Sequence, residues 1–127
     1  MNDLTEFLYA ELTNKILAAA FHVHDVLGSG FLEKVYENAL VIELRKAGLE
    51  VRQQYPLKVF YEGVVVGEYF ADLLIEDRVV VELKVASELT KVHYHQLQNY
   101  LTASGFKVGL LLGFGEKGVV VRRKDLL

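Results

Sequence analysis

The chain contains no cysteine, which excludes disulfides, thiolate metal sites and a cysteine nucleophile. That absence suits the cytoplasm, the expected location. The start, Met1-Asn2-Asp3-Leu4-Thr5-Glu6, has neither the basic residues nor the continuous apolar core of a signal peptide. No apolar run reaches the ~18–20 residues that cross a bilayer, so no membrane partner is expected. Linkers, internal repeats and low-complexity segments are also missing. The glycine cluster Gly113 to Gly118 holds a lysine but no following Ser or Thr and no G-x-x-x-x-G-K-S/T spacing, so it is not a phosphate-binding loop. Ser29 and Ser104 lack a histidine–acid arrangement that sequence can support. A formal charge of −3 argues against a protein coated in nucleic acid. It does not exclude a local site whose carboxylates are offset by metal.

What is present is one globular domain's worth of chain over residues 1–127, half apolar and a quarter charged. Apolar residues at Leu4, Phe7, Leu8, Leu12, Ile16, Ala19, Ala20, Val23 and Leu27 follow a helical period that Gly28 stops. A second helical pattern, Leu32 to Ala47, ends at Gly48. Val51 to Val59 and Val64 to Ile75 read as strands around a Glu62-Gly63 turn, and Val79 to Val85 continues the sheet. Ser87 is placed to cap a third helix over about Glu88 to Ala103, with Gly105 behind it. Val108 to Leu112 has the wholly apolar character of a strand buried on both faces, and Val119 to Val121 closes the domain. The order ααβββαββ predicts an α/β fold, one mixed sheet flanked by helices.

The chemistry concentrates in Asp72 to Lys84. Two runs of aliphatic residues flank the charged turn Glu76-Asp77-Arg78, a hairpin pattern. Folded symmetrically about Asp77, the hairpin sets Asp72 opposite Glu82, with Lys84 on the face of Glu82. Opposed like charges are destabilising, and a shared divalent cation resolves the conflict. Ions of the magnesium class take oxygen ligands and keep several waters. Asp72, Glu82 and the backbone carbonyl of Leu83 make a plausible partial shell for Mg2+ or Mn2+. Lys84 beside it can stabilise developing negative charge or hold an attacking water. The bland alternative is a solvated hairpin with Glu82 paired to Lys84. Against it, both interrupt an apolar strand that reads as central, where charges are paired or metal-bound.

Other segments add candidates with two readings each. Glu33 opens the second helix, with Tyr36 and Glu37 one turn on; it equally suits a helix N-terminus electrostatically. In the third helix Gln96 and Tyr100 lie four apart and His93 three before Gln96, so the three share a side. Leu89, Val92, Leu97 and Leu101 supply an adjacent apolar stripe. Glutamine and tyrosine there can hold a phosphate or position a water, or simply form a polar helix edge. The pairs His22-x-His24 and His93-x-His95 lie in helical patterns, where residues two apart diverge, which disfavours a histidine metal site. Arg122-Arg123-Lys124 reads as an exposed tail, with contact to phosphate backbone as the alternative.

Taken in order, Gly30-x-x-Glu33-x-x-Tyr36, Asp72, Glu82-x-Lys84 and Gln96-x-x-x-Tyr100 resemble the GxxExxY family of small bacterial and archaeal proteins, assigned to the PD-(D/E)XK nuclease superfamily. The resemblance spans about Phe21 to Val121. It implies a restriction-endonuclease-like core and a metal-dependent phosphodiesterase acting on nucleic acid, DNA foremost. It makes Asp72 and Glu82 metal ligands and Lys84 the catalytic lysine. Glu33 becomes a helical acid assisting the metal, and Gln96 and Tyr100 the glutamine motif of RecB-like and lambda-exonuclease-like members. Ala71 stands where the superfamily's name has proline. A catalytically silent binding module on the same fold is the competing expectation, favoured by the low charge and the lack of an added recognition domain. A homodimer through Tyr55, Phe60 and Tyr61 is a further expectation, as is an unknown protein partner.

Overall fold

The computed structural model describes residues 9–126; Leu4, Phe7 and Leu8 lie outside them. The elements are α1 (Ala10–Leu27), α2 (Glu33–Lys46), β1 (Val51–Tyr61), β2 (Val64–Ile75), β3 (Val79–Lys84), α3 (Lys91–Ser104), β4 (Val108–Phe114) and β5 (Val119–Asp125). They form the expected mixed sheet in the order β1-β2-β3-β4-β5. Only β3 and β4 run parallel, joined through α3; the other neighbours are antiparallel. No helix among the described residues is long and apolar enough to cross a membrane.

Each sheet face carries its own core. Ile16, Ala20, Val23, Leu40 and Leu44 of α1 and α2 cover Leu73, Ile75, Val81, Leu83 and Leu110. Leu97, Tyr100 and Leu101 of α3 cover Leu57, Ala71, Leu74, Val80 and Leu111. Helix α3 sits directly on β4 because Gly109 presents no side chain: a β-carbon there would lie 2.7 Å from Leu97 Cδ1.

Besides a register shift between Val59 and Phe60, the alternation of strand side chains breaks in the inner part of the hairpin. Leu73 belongs to the α1/α2 core and Ala71 to the α3 core, although residues two apart share a face in a regular strand. Val51 and Leu57 differ in the same way. The change falls between them, at Gln54, which has φ 51°, and Asp72; neither takes part in the otherwise regular β1–β2 ladder from Val51 to Val59. Beyond this point the hairpin extends as an arm whose Phe60, Tyr61, Val64, Val66 and Phe70 are exposed.

Three local expectations are corrected. Thr90, not Ser87, caps α3: its hydroxyl accepts from the His93 amide, and His93 Nδ1 accepts from the Thr90 amide in return. Ser87 instead accepts the Glu116 amide. Val92 is 75% exposed rather than part of the apolar stripe. Arg122-Arg123-Lys124 is no tail but the body of β5, paired with Leu111, Leu110 and Gly109. Arg122 and Lys124 both rest over the Tyr94 ring, at 5.6 and 5.7 Å, and Arg123 bonds Asp125 and Thr13.

Candidate active site

The β2–β3 backbone ladder runs through Ile75↔Val79, Leu74↔Val80 and Leu73↔Val81 and then stops. At the next level side chains replace backbone partners. The Asp72 amide donates to Glu82 Oε1 at 2.9 Å, and the Leu83 amide donates to Asp72 Oδ2 at 2.8 Å. The strands therefore part around two carboxylates, each satisfying an amide that regular pairing would leave to the opposite carbonyl. Both acids are buried, Asp72 at 9% and Glu82 at 4% exposure.

On the other flank Gln54 faces Asp72. Its Nε2 donates to Asp72 Oδ1 and to both Glu37 oxygens, at 3.3 Å each. Glu37, on α2 and only 1% exposed, also accepts from Gln53 Nε2 at 2.9 Å and Lys34 Nζ at 3.0 Å. A hydrogen-bonded chain thus fastens α2 to Asp72 through the residue at which the strand changes face.

The site is short of positive charge. Burial first, then the Asp72 charge, pushes the Glu82 carboxyl up to about 9. Partial burial and the Asp72 charge also raise Glu33, while Lys84 pulls both acids back. Burial raises Tyr100 to about 12, followed by the charges of Glu82 and Asp72. Lys84 makes no ion pair among the described residues, so pairing with Glu82 does not neutralise the strand. The residues present fit a hard divalent cation. Two carboxylates meet at one point, and Glu82 Oε2 engages no hydrogen-bond donor although no buried side-chain oxygen among the described residues lacks a partner, so that oxygen faces solvent. No group of three His, Cys, Asp or Glu side chains that could hold a metal gathers among the described residues. Glu33 therefore stands outside any side-chain ligand set formed by Asp72 and Glu82, whose remaining positions waters would fill.

A family model of the PD-(D/E)XK nuclease superfamily matches residues 10–124. The chain belongs to that superfamily. Among solved structures it is similar to a protein designated SSO0001, with 19% identity and a TM-score of 0.53 over 72% of this chain and 48% of that one. The chain therefore spans about half the length of that protein. It is also similar to an alkaline exonuclease from Laribacter hongkongensis, with 13% identity and a TM-score of 0.50 over 88% of this chain and 81% of that one. At these identities the likeness is one of fold, restriction-endonuclease-like. No curated protein matches the sequence.

Within this PD-(D/E)XK fold, the sequence candidates separate by their distance from the fork. Asp72, Glu82 and the Leu83 amide form the fork itself, and Glu33, Lys84 and Tyr100 interact with it electrostatically. Gln96 lies one turn from Tyr100 and lines the same hollow, without a hydrogen bond to either acid. His93 is occupied by the α3 cap, and His24 Nε2 by the Gly115 carbonyl at 2.7 Å. Tyr36 is fully buried in the core, stacked on Phe114. A separate hollow of about 510 Å³ is bordered by Ser87, Glu116 and Lys117, and none of Glu33, Glu37, Asp72 or Glu82 lines it. Sequence reasoning missed the roles of Glu37 and Gln54. Glu37 follows Glu33 by one helical turn, which is the signal that marks it.

Proposed function

We propose that this protein is a metal-dependent nuclease that hydrolyses phosphodiester bonds, with DNA as the substrate, and that it is a member of the GxxExxY family. The observation that carries the reading is the fork at Asp72 and Glu82: two buried carboxylates converging where the sheet has opened its own ladder. Asp72, Glu82 and the Leu83 carbonyl would hold Mg2+ or Mn2+. When bound, such an ion supplies Lewis-acid charge to the phosphoryl group and acidifies water.

The remaining residues have roles that follow from their own chemistry. Lys84, an unpaired ammonium two residues beyond Glu82, stabilises charge developing on the scissile phosphate. Glu33, whose carboxyl is raised by burial and by Asp72, stays close enough to accept a proton from water in the site. Tyr100 keeps its proton, because burial and the two acids hold its hydroxyl near 12, and donates a hydrogen bond to the substrate. Gln96 offers a donor and an acceptor on the same flank. Glu37, through Gln54, is a positioning residue for Asp72.

The test is cleavage of linear, nicked, branched and single-stranded DNA with magnesium or manganese, against a chelated control. Wild type should cut at least one form. Lys84→Ala should still bind metal while its rate falls about 10²–10³-fold. No metal-dependent cleavage of any form would favour the silent binding module.

A further inference from the structure

We propose that the hollow between the β2 arm and α3 is a slot for one unpaired nucleobase, so that the substrate enters as a single strand or frayed end. This rests on the nuclease reading above. The hollow measures about 340 Å³ and is bordered by Tyr69, Val92, His95, Gln96, Asn99 and Tyr100. That is the lower end of the roughly 300–1,000 Å³ typical of small-ligand sites, which suits one planar base rather than a base pair.

The lining selects the same ligand. No lysine, arginine or carboxylate borders it, and beside the His95 imidazole the lining is made of neutral groups, which suits a neutral ligand. Two carboxamides, Gln96 and Asn99, each bring a donor and an acceptor, the pairing that base edges require. Tyr69 supplies the flat surface: its ring centroid lies 5.5 Å from that of Tyr100, yet the residue is 47% exposed. Val92, 75% exposed on α3, adds an apolar contact to the lining. Every base has a π-face, and aromatic platforms of this kind bind unpaired strands with little sequence preference. A base held there places its backbone beside Tyr100, whose hydroxyl already senses Glu82 and Asp72. Interior base pairs of a duplex offer no free face to such a ring.

The experiment is fluorescence anisotropy with a labelled 12-nucleotide single strand and a blunt duplex of the same sequence, without divalent cation, so that binding is read apart from cleavage. Wild type should prefer the single strand. Tyr69→Ala should weaken single-strand binding by about 5- to 150-fold and leave duplex binding nearly unchanged. Tyr69→Phe should retain most of the affinity, and Asn99→Ala should lose an intermediate amount. Thermal melts check that each variant is folded. Equal single-strand affinity in wild type, folded Tyr69→Ala and Asn99→Ala would overturn the slot, as would failure of wild type to bind single strands. Cleavage by wild type with no effect of Tyr69 removes the slot and keeps the nuclease. Tyr69-dependent binding without cleavage under magnesium or manganese does the reverse.

Discussion

The Tyr36 hydroxyl donates to the Gly28 carbonyl at 2.6 Å, closing the connection that precedes its own helix. The same oxygen accepts the Phe31 amide at 3.3 Å. The tyrosine of the Gly30-x-x-Glu33-x-x-Tyr36 pattern is thus a structural staple: it fixes where α2 begins and so where Glu33 stands. Tyr36→Phe keeps the buried ring and removes both bonds. It should lower stability by about 1–2 kcal/mol, seen in urea as a lower midpoint with an unchanged slope. An unaltered midpoint would show that the loop holds itself.

The metal-free protein should lose stability as pH rises. Glu82 is pushed from 4.5 to about 9 in the fold, so the folded state keeps a proton that the unfolded chain has released. That contribution is full below about 4.5 and is lost as pH climbs through about 9. The raised Glu33 carboxyl acts in the same direction. Urea midpoints at pH 5, 7 and 9 should fall in that order, and Glu82→Gln should flatten the trend. A midpoint rising with pH would contradict it.

Asp72→Asn separates metal binding from folding. An asparagine oxygen still accepts the Leu83 amide that Asp72 Oδ2 accepts now; its nitrogen gives up only the long 3.3 Å bond from Gln54, a loss set against removal of a charge buried beside Glu82. The variant should be as stable as wild type or more so without metal, yet bind magnesium or manganese far more weakly by calorimetry. Equal metal affinity in the Asp72→Asn, Glu82→Gln double variant would remove the ions from this site.

Glu37→Gln should injure both fold and site. Its buried carboxylate accepts from Lys34, Gln53 and Gln54, and an amide nitrogen in its place faces donors. Hydrogen bonds to charged groups are worth about 1.5–3 kcal/mol, so a loss of that order is expected. Cleavage should fall mainly in kcat, since Asp72 loses its orientation. Full activity at a temperature where the variant remains folded would make Glu37 purely structural.

Arg122 and Lys124 of β5, both over the Tyr94 ring of α3, stand in a chain of net charge −3. Arg122 shares the cross-sheet row of Glu82 through Leu111. If they meet phosphates, replacing both with alanine should flatten the salt dependence of single-strand binding by about 0.7 per lost contact. An unchanged slope would leave them as edge-strand solubilising charges.

The hairpin pattern was enough to set Asp72 across from Glu82, because a turn centred on Asp77 and a two-residue period determine both partners. The structure adds that their side chains take over the ladder, which periodicity does not encode. Glu76 and Asp77, both at positive φ, make the turn that the charged triplet suggested. The start of α3 was misplaced by three residues because Ser87 and Thr90 are equally good caps locally. The choice falls to Thr90 by its exchange with His93, while the Glu116 amide claims Ser87. Residues 122–124 were read as a tail since charged residues on an edge strand look like solvated coil. Gln54 was invisible: a glutamine at positive φ inside a strand has no sequence signature, and its function is a tertiary contact with Glu37.

The change of face at Gln54 and Asp72 divides the hairpin into two parts. Inner sheet and outer hairpin follow separate hydrophobic patterns, so neither constrains the other's phase. Matched shortening, lengthening or rewriting of the hairpin beyond Leu57 and Ala71 leaves the acids and their amide partners as they are, and meets the α3 core at the Tyr69–Tyr100 ring contact. The arm is therefore an exchangeable cassette. Because Tyr69 belongs to it, the proposed base slot can be rebuilt from the arm while the carboxylates and their amide partners stay in the inner sheet.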